Sequence, residues 1–397
     1  MSKPLSQLKV LDLSTLLPGP YASMLMADMG ADVLRIEAIE RDDLVKSFEP
    51  SIKGSSYAFL TLNRNKNVIA LDLKKPAAVE IVKKLITEYD ILLEQFRPGV
   101  MAKLGLDYQT LKAINPKLIY CSITGYGQEG CYKSRAGHDI NYLALSGLAS
   151  FSGTAATGPV LSGTQIADIA GGSHHAVMGI MAATLQRLST GLGQHIDISM
   201  TDTAFALTGM FGAGGVGAGE NPQLGSTVLN GGCFYGYYQT SDKRYLSVGS
   251  LEPKFAKIFF AEIGHTDWYK RTFSNDTQAQ AQLKADISSI ISRETLSYWA
   301  DKFALLDACI EPVLSVTEAQ NSPLMQDRNM VIDVKIPSGD YVKQIAPAIK
   351  FKQTDVVAQI QEMVVTEPNK VNTTAVLEKL SYQDHEINDL LNEGVIK

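Results

Sequence analysis

Several functional classes are excluded by what this 397-residue chain lacks. Its four cysteines, Cys121, Cys131, Cys233 and Cys309, show no Cys-x-x-Cys or metal-ligand spacing, so they are expected to be reduced thiols with no metal centre. The start, Met1-Ser2-Lys3-Pro4-Leu5, has no apolar core of a signal peptide, and no run approaches the ~18 apolar residues of a membrane span. The expectation is a cytoplasmic protein without a membrane partner. A net charge of −6 argues against nucleic acid, whose phosphate backbone needs a basic face. A phosphorylated small ligand stays possible, because a few local Lys and Arg can hold it. The first βα turn carries no Gly-x-Gly-x-x-Gly, which argues against a nicotinamide or flavin dinucleotide.

What is present is a strand–helix alternation. Lys9–Leu13 reads as a strand, Pro18-Gly19-Pro20 as a break, Tyr21–Met29 as a helix ended by Gly30, and Asp32–Glu37 as the next strand. Strands are expected at 67–73, 90–96, 117–123 and 195–199, with a helix from Pro76 to Tyr89. Such βαβ units imply an α/β fold with a parallel sheet. Residues 164–188 read as one long small-residue helix. Eight glycines between 211 and 232 suggest a flexible connector or a loop over a site. A smaller α+β stretch follows, with a strand at 245–248 and helices near 254–263 and 295–304. The expected layout is a large α/β domain from 1–204 and 331–397, a glycine-rich linker at 205–235, a small domain at 236–315 and a return linker at 316–330.

Chemistry concentrates in Arg135-Ala136-Gly137-His138-Asp139-Ile140-Asn141-Tyr142, with Asp168 thirty residues later. Only six histidines occur in the chain, so an imidazole beside a carboxylate after a glycine stands out. Two groups of different basicity around one carbon can take a proton from one face and return it to the other. The plainer alternative is an ordinary helix start with Asp139 as its N-cap. His174-His175 points to two sides of a helix, which suits packing or a dimer contact rather than a joint metal site.

The chain resembles the class III CoA-transferase family, and within it most closely the racemases of α-methylacyl-CoA esters. The resemblance rests on Leu17-Pro18-Gly19-Pro20-Tyr21-Ala22, Gly30–Glu37, Leu71-Asp72-Leu73-Lys74, Phe96-Arg97-Pro98-Gly99-Val100, Gly137–Tyr142, Ser247–Phe255 and Asp307–Leu314, in this order. It implies a Rossmann-like large domain built from both chain ends, a small domain, and an interlocked homodimer. It implies His138 and Asp168 as the two bases of an α-proton transfer through an enolate. Glu252, with Asp139 as a second candidate, would orient the imidazole. In the transferases of the family, the residue at the Asp168 position instead attacks a thioester and carries the acyl group as an anhydride. For the CoA moiety, the resemblance implies Arg35 near the adenine, Arg97 and Lys103 at phosphates, and Leu71, Asp72, Leu73 and Lys74 along the nucleotide. Gly137, Asn141 and Tyr142 join that site. No cofactor beyond the CoA of the substrate is implied. A non-catalytic CoA-ester binder would need only the Arg35 and Arg97 side.

Overall fold

A computed structural model describes residues 3–352 and 364–397. The chain divides into two compact units. The larger comprises Met1–Leu145, Gly163–Ala206 and Pro323–Lys397; the smaller comprises Ser146–Ser162 and Leu207–Ser322. Residues 146–162, expected within the large domain, cluster with the small unit instead. There they form a short loop-and-hairpin excursion that includes Gly153–Thr154 and Gly158–Pro159.

The large unit holds a six-stranded parallel sheet. Its strands are β1 (Lys9–Asp12), β2 (Asp32–Ala38), β3 (Lys66–Leu71), β4 (Ile91–Glu94), β5 (Ile119–Thr124) and β6 (His195–Ser199). Their order is β6-β5-β4-β1-β2-β3. The order reverses between β1 and β4, which opens a crevice at their carboxyl ends where ligands of such sheets bind. Register follows the pleat. Val10 lies opposite Val33 and Ile91, and Leu11 lies opposite Leu34 and Leu92. The two sets therefore face opposite sides of the sheet.

Each side is buried by helices. Leu11, Leu34, Ile69 and Leu92 pack with Ile81, Val82 and Leu85 of the helix Pro76–Ile86, and with Leu377, Ile387 and Ile396 from the chain end. Val10, Val33, Leu93 and Ile123 pack with Ala22 and Met26 of α1 (Pro18–Asp28) and with Ala176 and Ile180 of the long helix. Burying each such Leu, Ile or Val stabilises by about 1.5–3 kcal/mol, so both layers hold the carboxyl edge of the sheet rigid. The Pro18-Gly19-Pro20 motif is the first turn of α1 rather than a break. Proline is preorganised for that position, and its missing N–H would have had no intrahelical partner.

The small unit carries three antiparallel strands, Gly236–Gln239, Tyr245–Val248 and Ile310–Pro312. They pack against the helices Pro253–Glu262, Thr277–Ile291 and Leu296–Phe303 around Phe259, Phe260, Leu283 and Trp299. The 277–291 helix was not expected, because Gln and Ala dilute its apolar period. Asp276 starts it by accepting the N–H groups of Gln278 and Ala279. The glycine-rich connector contains a short helix at Ala213–Ala218. Among the described residues, no helix is long and apolar enough to cross a membrane, and no group of three or more His, Cys, Asp or Glu could hold a metal ion.

Candidate active site

The site grows from the loop after β5. The Tyr142 ring sits over two glycines. A Cβ on Gly137 would fall 2.6 Å from the Tyr126 hydroxyl and 2.7 Å from the Tyr142 ring, so only glycine lets the chain pass there. The Tyr142 hydroxyl donates to the Gly137 carbonyl at 2.6 Å. This clamps the loop onto the helix Asp139–Leu145, hereafter α2.

His138 immediately precedes α2. Its carbonyl accepts the N–H groups of Asn141 and Tyr142, and its own N–H donates to the Asn141 Oδ1 at 3.0 Å. Asn141, expected at the CoA moiety, thus closes half of a capping box. The imidazole is exposed. Asp139 is the first helical residue rather than the N-cap. Its Oδ1 accepts the backbone N–H of Asp168 at 3.0 Å, which ties α2 to the start of the long helix.

That contact places two carboxylates together. Burial, and then the Asp139 charge, raise the Asp168 carboxyl to about 7. Among the described residues, no Lys or Arg forms an ion pair with either aspartate. The Tyr142 phenol is pushed up to about 12, by burial first and then by the Asp168 charge, with Arg97 acting in the opposite sense. The structure therefore assembles Gly137, His138, Asp139, Asn141, Tyr142 and Asp168, with Arg97 within electrostatic reach. Arg97 is exposed on the turn that follows β4.

Other expected residues lie elsewhere. Arg35 has no exposed surface. Its guanidinium donates to Glu37 at 2.8 Å and to Asp43 at 2.7 Å, and it faces the Phe59 ring at 5.3 Å. A group so enclosed cannot stack on an adenine, so the expected ligand role gives way to a structural one. Leu71 is likewise closed into the core beside Ile396, so its side chain does not line a nucleotide. Asp72 turns the chain by accepting the Lys74 N–H at 3.1 Å, and exposed Lys74 lies 3.4 Å from Glu40. Leu73 is half-buried against the core, and Lys103 is exposed in the short helix Val100–Lys103. Glu252 belongs to the small unit, exposed just before the helix Pro253–Glu262.

The sequence reading missed Glu94. This carboxyl ends β4, is buried, and is raised to about 7 by that burial. Ser122 hydrogen-bonds it, and the Ser122 hydroxyl also lies 2.9 Å from the His195 Nε2. Together with Arg97 and Tyr108 these residues line a cavity. The available signal was a lone acid ending an otherwise apolar strand beside the sheet's point of reversal.

The profile of CoA-transferase family III matches residues 5–362. The human α-methylacyl-CoA racemase is 32% identical over 402 residues, covering 99% of this chain and 97% of its own. The succinate–glutarate CoA-transferase of Agrobacterium fabrum is 32% identical over 366 residues, covering 88% and 90%. A CAIB/BAIF family protein from Brucella suis superposes with a TM-score of 0.82 at 28% identity, covering 96% of this chain and all of that one.

Proposed function

The chain belongs to CoA-transferase family III, and on that premise we propose that it is a racemase of 2-methylacyl-CoA esters. The observation that carries this reading is the apposition of Asp139 and Asp168, with His138 next in sequence and an Asp168 carboxyl raised to about 7. A carboxyl poised there can both take and return a proton at neutral pH, which is what a two-way proton transfer asks of it. A nucleophilic aspartate gains nothing from being half protonated.

In the proposed reaction, one of His138 and Asp168 removes the proton beside the thioester carbonyl. The enolate that forms is protonated on its other face by the second group. Charge develops on the thioester oxygen and needs fixed donors. The Asp168 N–H is already taken by Asp139, so the first N–H groups of α2, those of Asp139 and Ile140, are the proposed donors. Arg97 and Lys103 are proposed for the CoA phosphates, for which guanidinium and ammonium groups suit. An interlocked homodimer is part of the proposal, and light scattering in solution tests it.

The experiment uses one stereoisomer of a 2-methylacyl-CoA in deuterated water with no acceptor acid, followed by NMR. Deuterium entering the α-position with inversion, and lost in His138→Ala and Asp168→Ala, is the expected result. CoA passing only to an added acid, lost in Asp168→Ala but kept in His138→Ala, would establish the transferase chemistry instead. Glu252→Gln tests the orienting role that the resemblance implies, with slower exchange expected.

A further inference from the structure

The long helix that carries Asp168 is not α-helical in its first turns. Ala167–His174 is π-helical, and α-helical structure resumes over His175–Thr190. Such wide turns are rare and short, and they persist only where their surroundings hold them.

Here the holding groups are visible. Ser173 has no exposed surface. Its hydroxyl donates to the Pro18 carbonyl at 2.7 Å and lies 3.2 Å from the Asp168 carbonyl, so it links the turn to the start of α1. The backbone N–H of His175 bonds the Gly172 carbonyl. A continued π pattern would have sent it to Ala170. The His175 ring stands in for it, with Nδ1 2.6 Å from the Ala170 carbonyl. A carbonyl only accepts, so Nδ1 carries the proton. The turn is also wedged laterally, because a Cβ on Gly171 would fall 2.7 Å from the Thr203 Oγ1.

We propose that Ser173 and His175 are positioning residues for the Asp168 carboxyl, holding the π-turn that aims it beside Asp139. The inference rests on the proton-transfer reading of Asp168. Its physical basis is angular. Relaxing a π-turn to α-helix moves the register by one residue, which rotates a side chain by about 100° around the axis. Asp168 would then leave the arrangement that Asp139 and Tyr142 of α2 define. The other ionisable neighbours of this turn are His174, whose ring meets Tyr21 of α1 edge-on, and the exposed Asp202.

The test compares Ser173→Ala, His175→Ala and His175→Asn in the full chain. The Asn amide can still donate to the Ala170 carbonyl. In the alanine variants, kcat for α-proton exchange is expected to fall roughly ten- to hundredfold, with KM within about twofold. The Asp168 titration, followed by 13C NMR and assigned with Asp168→Asn, should move by at least ~0.5 pH unit, and His175→Asn should recover most of both changes. Unaltered kcat and titration in the alanine variants would overturn the proposal. A lowered melting temperature with an unmoved titration would also overturn it, by showing a merely structural role. The titration needs no turnover. If the wild-type protein exchanged no α-proton, the functional reading would fall while the positioning was still decided.

Discussion

Two charged neighbourhoods beside the same sheet are built on opposite rules. Around Arg35, every buried charge meets its opposite. Glu37 and Asp43 take the guanidinium, Lys46 lies 3.0 Å from Glu37, and buried Lys66 stands 3.5 Å from Asp12. Around Asp168, two carboxylates meet with no cation paired to either among the described residues. Opposite charges in a dry setting fix a shape, and removing one partner strands the other. At Asp168, burial and then the like charge of Asp139 hold a proton near neutrality, a state that acid–base chemistry can use. The first neighbourhood holds the fold, and the second is the proposed site.

Substitutions can break that contrast. The largest effect is expected for Asp168→Ala, which should slow α-proton exchange by roughly 10²–10⁴-fold with the fold retained, as measured by NMR exchange beside a thermal melt. Arg35→Met should do the reverse. It strands Asp43 and leaves Glu37 with Lys46 alone, and should cost about 3–5 kcal/mol in denaturant unfolding, while the folded fraction keeps its KM for the CoA ester.

Asp168→Asn sharpens the comparison through pH. Folded Asp168 keeps its proton up to about 7, whereas an unfolded aspartate loses it near 3.8. Between these values the folded state holds more protons, so wild-type stability falls as pH rises through this window and stays lowered above it. Asparagine removes that dependence. The variant should therefore be more stable than wild type by about 1–2 kcal/mol at pH 8, after allowance for solvent screening, and should show no such gain at pH 3. The smallest effect is expected for Lys103→Ala. Its KM for the CoA ester should rise by no more than about fivefold, and its stability should move by less than about 0.5 kcal/mol.

The fold was legible because it is periodic. Val10/Leu11 and Val33/Leu34 show alternate faces, and glycine and proline punctuate the helices, so the βαβ order could be read along the chain. The partners of charged side chains were not legible. Arg35 looked like a ligand residue at a strand end, and only the fold brings Asp43 and Phe59 around it. The π-turn was invisible for a related reason. The run Ala167–Ser173, with Gly171 and Gly172 adjacent, reads only as small-residue helix, and the groups that meet its turn, Pro18 and Thr203, are remote in sequence. His138, Asp139 and Asp168 were noticed as residue types, yet the bond from the Asp168 N–H to Asp139 depends on a loop closure that no spacing encodes.

The most direct test of the account is a 13C NMR titration of the Asp168 carboxyl in the wild-type protein, assigned with Asp168→Asn and repeated in Asp139→Asn. The account predicts a midpoint at about 7 that drops when the Asp139 charge is removed. A midpoint near that of an ordinary aspartate, unmoved by Asp139→Asn, would contradict it.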